Sequence, residues 1–103
     1  MQKNYKEIEK IFKAFCDVKR LQVLAQLQEG EKCLCNLLEN IDLCQSSLSY
    51  HMKILVESGI VISRQEGKWT HFKINPEGSN LAINLLKEIT EVNEVTKEGK
   101  CCD

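Results

Sequence analysis

No run of apolar residues in this 103-residue chain is long enough to cross a bilayer, since a spanning helix needs about 20 in succession. The usual marks of catalysis are missing as well. There is no glycine-rich phosphate loop, no His-Glu zinc motif and no nucleophile elbow. Only two histidines are present, His51 and His71. The chain is therefore expected not to be an enzyme. An excess of one charge is also missing, because 14 Lys and Arg face 15 Asp and Glu for a formal net charge of −1. The total thus announces no polyanionic partner. The opening MQKNYKEIEK is charged and has no apolar h-region, so no secretory signal and no membrane partner are expected, and the expected location is cytoplasmic.

Cysteine, by contrast, is abundant, with six in the chain at positions 16, 33, 35, 44, 101 and 102. In an exported protein this would suggest a disulfide framework. With nothing directing the chain outward, clustered thiols point instead to soft-metal binding or redox chemistry. A hydrophobic content of 43% and a charged content of 28% describe one soluble globular domain. A core this small is marginal alone, and a second copy would steady it.

The hydrophobic period orders the chain. In YKEIEKIFKAFC, Ile8, Ile11, Phe12 and Phe15 fall at i, i+3, i+4 and i+7, one face of a helix. Cys16, late in that pattern, is expected to be packed and inert. Asp17 can cap a second helix, VKRLQVLAQLQEG, with Leu21, Leu24 and Leu27 inward and Gly30 at its end. CNLLENI predicts a short third helix. QSSLSYHMKILVES predicts a fourth, with Leu48, Met52, Leu55 and Val56 inward and Gly59 as its stop. The period then shifts to two. IVISR and THFKI are strands joined by QEGKW, with Gly67 in the turn, and Thr70, Phe72 and Ile74 share one face. Pro76 opens a last helix with Ala82, Leu85, Leu86, Ile89 and Val92 as its apolar stripe.

A short helix, a tight turn and a second helix make a helix-turn-helix, and a hairpin directly after it makes a wing. The expected fold is mainly α with a β-hairpin: a winged helix-turn-helix of helices 1–4, a two-stranded wing and a C-terminal dimerisation helix. Residues 1–95 are expected to form this domain and residues 96–103 a flexible tail carrying Cys101 and Cys102. So little remains in a small domain to cover the last helix that a homodimer is its simplest use.

Residues 45–75 carry four Lys/Arg against two Asp/Glu and are the only net positive third, a modest footprint for nucleic acid. On the fourth helix Gln45, Ser46, Ser47, Ser49, Tyr50 and Lys53 fall outside the apolar stripe, with His51 between the stripe and the reading face. Gln pairs bidentately with adenine, and Ser and Tyr contact bases or phosphates. Arg64 and Lys68 flank the wing turn and can reach phosphate or the minor groove of double-stranded DNA.

The segments FKAFCDVKRLQVLAQL, CLCNLLENIDLCQSSLSYHMKILVESGIV and RQEGKWTHFKINP resemble the ArsR/SmtB family of metal-responsive repressors, and look nearest to its arsenic-sensing members. Asp17 to Leu21, Gln45 to His51 and Gly67 to Trp69 carry the likeness, which extends over about residues 8 to 78. The resemblance implies a winged-helix homodimer that represses resistance genes from operator DNA and releases it when an inducer binds. The implied inducer is As(III) or Sb(III), with Cd(II)/Pb(II) or thiol redox and sulfide sensing as rivals. The family's arsenite motif is Cys-Val-Cys-Asp-Leu-Cys; here the stretch is Cys33-Leu34-Cys35-Asn36-Leu37-Leu38, so Leu38 stands at the third thiol.

Cys33 and Cys35 are thus the core of the expected metal site, with Cys101 and Cys102 as candidates to complete it and Cys44 or Cys16 behind them. Residues two apart on a helix diverge by about 200°, so both sulfurs can reach one ion only if Cys33 lies outside the helix. There the unpaired N–H groups and the positive dipole end also favour thiolate, the form that soft ions select.

Overall fold

The computed structural model describes residues 4–93, and the expected tail with Cys101 and Cys102 lies outside them. The elements run α1 (Tyr5–Lys13), α2 (Val18–Leu27), β1 (Lys32–Cys33), α3 (Leu34–Asn40), α4 (Gln45–Glu57), β2 (Val61–Glu66), β3 (Trp69–Ile74) and α5 (Pro76–Thr90). The winged helix-turn-helix expectation holds.

Local chemistry sets the helix ends. Asn4 Oδ1 accepts from the Glu7 amide at 3.2 Å and starts α1. Asp17 Oδ1 accepts from the amides of Lys19 at 2.8 Å and Arg20 at 3.3 Å and starts α2. Asn75 takes the same role before Pro76 of α5. Each such cap satisfies amides the helix itself leaves unpaired. Gly59, at φ 87°, lets the chain turn sharply out of α4.

Two expectations are corrected. The inward face of α2 is not the leucine face. Arg20, Val23 and Leu27 are buried, Leu24 packs partly, and Leu21 is 49% exposed. The cause is Arg20. Its Nε donates to the Ala14 carbonyl at 3.0 Å, its Nη2 to the Lys13 carbonyl at 3.1 Å, and its Nη1 lies 2.9 Å from His51 Nδ1. A buried guanidinium needs all these partners, and holding it inward rotates Leu21 out. Cys16 is not packed but exposed in the bend between α1 and α2, where its thiol donates to the Phe12 carbonyl at 3.4 Å; the small buried residue there is Ala14. The two-stranded wing is present as β2 and β3, and a third strand extends its sheet. β1 pairs antiparallel with β3, Lys32 opposite Phe72 and Cys33 opposite His71, giving the order β1-β3-β2. A two-residue strand has no period to read, and its partner lies far along the chain.

In the hairpin, Val61 pairs Ile74 and Glu66 pairs Trp69. Gly67, at φ 63°, and Lys68 form the turn, a glycine-first pattern that matches the twist of the strands. Leu37 of α3, Leu48, Met52 and Leu55 of α4, Val23 of α2, and Val61 and Phe72 of the sheet make the core. This core holds α4 between α2 and the wing. α5 buries only Ala82 and half-buries Leu85, while Leu81, Ile83, Leu86, Ile89 and, beyond the helix, Val92 stay exposed. No helix among the described residues is long and apolar enough to cross a membrane.

Gly78 sits where α5 passes the α4–β2 turn so closely that a Cβ would collide with the Gly59 carbonyl. Gly78→Ala should therefore destabilise the fold by about 1–3 kcal/mol, the usual range for overpacking. Thermal melting by circular dichroism checks this, and an unchanged midpoint would disprove the close approach.

Candidate DNA interface and thiol site

Helix α4 presents Gln45, Ser46, Ser49, Tyr50 and Lys53 to solvent, with Ser47 half-buried behind them. Leu48, Met52 and Leu55 anchor the opposite side in the core, so the amphipathic period aims the polar face outward. Tyr50 is 62% exposed and meets His51 edge to face, with ring centroids 5.8 Å apart. His51 itself is half-buried and tied through Nδ1 to Arg20. Its fixed position is that of a strut between α2 and α4. Lys68 stands exposed at the wing turn.

Arg64 sits mid-strand in β2 instead of beside the turn. Its Nη2 and Nε donate to the two carboxylate oxygens of Glu31 at 2.7 and 3.0 Å, and its Nη1 donates to Glu66 at 2.9 Å. Residues two apart on a strand share a face, which brings in Glu66; Glu31 arrives because β1 lines the far side of β3. Glu31 is held below the usual carboxylate range by its hydrogen bonds from Arg64, and Arg64 is pushed further up by Glu31 and then Glu66. The guanidinium is thus engaged within the wing, and Lys68 is left as the cation at its tip. Glu31 could not be picked out from the sequence, where it is one acid among fifteen.

Cys33 caps α3 in extended conformation, φ −84° and ψ 164°, so it lies outside the helix as a shared thiol site requires. Its thiol donates to Asn36 Oδ1 at 3.0 Å. The adjacent Cys35 thiol, then the Asn36 amide, hold Cys33 below the ordinary thiol range, and Cys33 in turn raises Cys35. Across the sheet Cys33, His71 and Arg64 occupy one row of neighbouring strands. Cys35 opens onto a groove of about 290 Å³ that it shares with Leu34, Leu38, Gln45, Lys68, Trp69 and Thr70. Cys35, Gln45 of α4 and Lys68 of the wing tip therefore border one hollow. Among the described residues no group of three His, Cys, Asp or Glu is placed to hold a metal ion.

Cys44 precedes α4, and its sulfur lies 3.3 Å from Ser46 Oγ and 3.2 Å from Ser47 Oγ. These two hydroxyls, with the Ser47 amide, lower it to about 7. Alkylation of Cys44 by iodoacetamide should therefore rise through a midpoint near pH 7, since only the thiolate reacts. Replacing both Ser46 and Ser47 by alanine should move that midpoint upward, toward the roughly 8.5 of a free thiol. Residue-resolved mass spectrometry reads the result; an unmoved midpoint would show that the hydroxyls do not stabilise the thiolate.

Comparison with known proteins agrees with this geometry. Residues 17–63 match the family model described as bacterial regulatory protein, arsR family. The arsenical resistance operon repressor of Staphylococcus aureus is 40% identical over 103 aligned positions, covering 95% of this chain and 99% of that protein. The protein of the same name from Bacillus subtilis (strain 168) is 35% identical, covering 94% and 91%. Among solved structures, an ArsR family transcriptional regulator superposes with a TM-score of 0.79 at 25% identity, over 94% of this chain and 100% of that one. The winged helix-turn-helix is thus that of a DNA-binding transcription regulator and not of an enzyme, and the chain belongs to the ArsR family.

Proposed function

We propose that this chain is a homodimeric repressor of a resistance operon that leaves its operator when As(III) or Sb(III) is held by the thiolates of Cys33 and Cys35. The observation that carries the reading is the placement of that thiol pair. Cys33 is paired into the wing sheet, and Cys35 borders a groove whose other walls include Gln45 of α4 and Lys68 of the wing. Drawing both sulfurs onto one ion pulls the Cys33 backbone toward the first turn of α3. That displacement acts on β3 through the β1 pairing and on the groove that separates the reading helix from the wing tip. Two reading helices in a dimer must fit half-sites about 34 Å apart, so a small shift in each protomer weakens DNA binding. Couplings of this kind are typically about 1–3 kcal/mol.

The dimer is supported by α5, whose outer face leaves Leu81, Leu86 and Ile89 about half exposed, a surface that a second copy would cover. In the DNA complex Gln45, Ser46, Ser47, Ser49 and Tyr50 face the groove, while Lys53 and Lys68 meet phosphate; His51 positions the helix, and Arg64 reaches DNA only by leaving Glu31. With Leu38 at the third position, a further thiolate for an inorganic ion comes from Cys101 or Cys102. A second reading, oxidant sensing, is favoured by Cys44 alone, which is close to half ionised at neutral pH at the start of the reading helix and open to sulfenic acid formation.

The experiment is an arsenite titration of fluorescence anisotropy on a labelled duplex from the operon's own promoter region. Cys33→Ser and Cys35→Ser should each raise the arsenite needed for release by roughly tenfold or more, the scale of losing one such coupling, and Cys16→Ser should leave it unchanged. Release that survives both thiol variants would remove the site, and release by peroxide but not by arsenite would transfer the sensor to Cys44.

A further inference from the structure

A helix with its side chains is about 10–12 Å across, and the major groove is about 12 Å wide. A helix seated there has a phosphodiester strand on each side of it. Helix α4 has a hollow on each of two flanks. On the wing side Lys53 lines one with Ser63 and Thr70 of the sheet. On the other flank the end of α1 approaches. There a hollow of about 290 Å³ is lined by Lys10 and Lys13 of α1, by Tyr50, Ile54 and Glu57 of α4, and by the buried Arg20. A cavity of about 150 Å³ holds benzene, so this one has room for a phosphate group between the lysine heads.

Three cationic side chains thus face one carboxylate, Glu57, in a chain whose total charge is −1. Lys10 and Lys13 are exposed, and with Lys6 they fall at i, i+4 and i+7 of α1, one stripe of that helix. Among the described residues none of these lysines is in an ion pair, and neither is Glu57. Lysines in the last turn of a helix meet the negative end of its dipole, but that accounts for neither the hollow nor the phenol across it. The backbone under Lys13 is also fixed against α4. Arg20 Nη2 donates to the Lys13 carbonyl at 3.1 Å while its Nη1 lies 2.9 Å from His51 Nδ1. The end of α1 and the reading helix therefore meet a ligand as one rigid unit.

We propose that Lys10 and Lys13 bind the phosphate backbone of the DNA strand that passes α4 on the α1 side, with the Tyr50 hydroxyl as a further donor. The inference rests on the DNA-binding reading of α4 and does not involve the thiols. The contact surface then runs from the wing tip across α4 to α1. Each strand bordering the major groove meets lysines, Lys53 and Lys68 on one flank and Lys10 and Lys13 on the other. Contacts to phosphate carry no sequence information and set the register and tilt of the reading helix. Glu57 opposes the phosphate and limits its binding.

The test measures binding of the full chain, without inducer, to the labelled promoter duplex and to an unrelated duplex of equal length, from about 50 to 200 mM salt. Lys10→Ala/Lys13→Ala should weaken both duplexes by a similar factor. It should also make the slope of log affinity against log salt shallower by roughly 2 for each protomer bound, one for each lost phosphate contact. Lys10→Arg/Lys13→Arg keeps both charges and should keep the slope. Lys87→Ala, on α5 and outside the hollow, should leave it unchanged, and Glu57→Gln should tighten both duplexes. Neutral methylphosphonates scanned along both strands should reveal positions that weaken the wild type and have no effect on the double alanine variant. An unchanged slope in that variant, or a loss confined to the promoter duplex, would overturn the backbone contact and leave α4 as the reading helix. A wild-type chain that binds neither duplex would overturn the DNA reading along with it.

Discussion

The pairing of Cys33 with His71 is the constraint on which the functional geometry depends. It is one step of a two-residue strand, yet it makes a thiol at the start of α3 part of the wing sheet. The same row continues to Arg64 on β2, and Arg64 returns to Glu31, two residues before Cys33, through a bidentate contact. Surface ion pairs add little stability by themselves. Here the pair closes a loop that already has backbone pairing in it, so its effect is on position. The segment carrying the thiols cannot move independently of the wing.

The recognition side is built by local arrangement and not by total charge. A chain with net charge −1 still shows a face of amides, hydroxyls and a phenol on α4, with lysines at its flank and at the wing tip. Internal pairing of Arg64 trims the cationic surface further, which places more weight on shape and on polar contacts than on phosphate attraction. Arg20 supports that face from behind. Three elements meet at its guanidinium, the end of α1, the start of α2 and the middle of α4, and its contact with His51 sets where α4 lies. Burying a charged group is tolerated only where its donors are taken up. The arrangement therefore fixes one packing of these helices and disfavours slipped alternatives.

In the proposed mechanism, regulation follows from the closeness of two sites that separate parts of the chain provide. Cys35 and Gln45 border the same groove from α3 and α4, and Lys68 reaches it from the wing tip. Under that proposal, ligand capture and DNA contact need no long pathway between them; the distance is the width of one hollow. Cys44 lies one residue before Gln45, so its thiolate chemistry touches the same helix end.

The one-dimensional pattern by itself determined the helices, the hairpin and the exposed polar face of α4. Those follow from periods of 3.6 and 2, from Asp17 as a cap and from Gly59 and Gly67 as turns, all of them properties of neighbouring residues. It also placed Cys33 outside α3, because a helix start has a local signature. Tertiary structure alone decided that Arg20 and not Leu21 points inward, that Cys16 is exposed, that Lys32 and Cys33 form a third strand, and that Glu31 takes Arg64. Each of these depends on a partner distant in sequence: the Ala14 carbonyl and His51, the bend after α1, β3, and the far side of the sheet. A hydrogen bond or ion pair across such a separation leaves no periodic trace, because the energy that selects it exists only once the core has brought the two segments together.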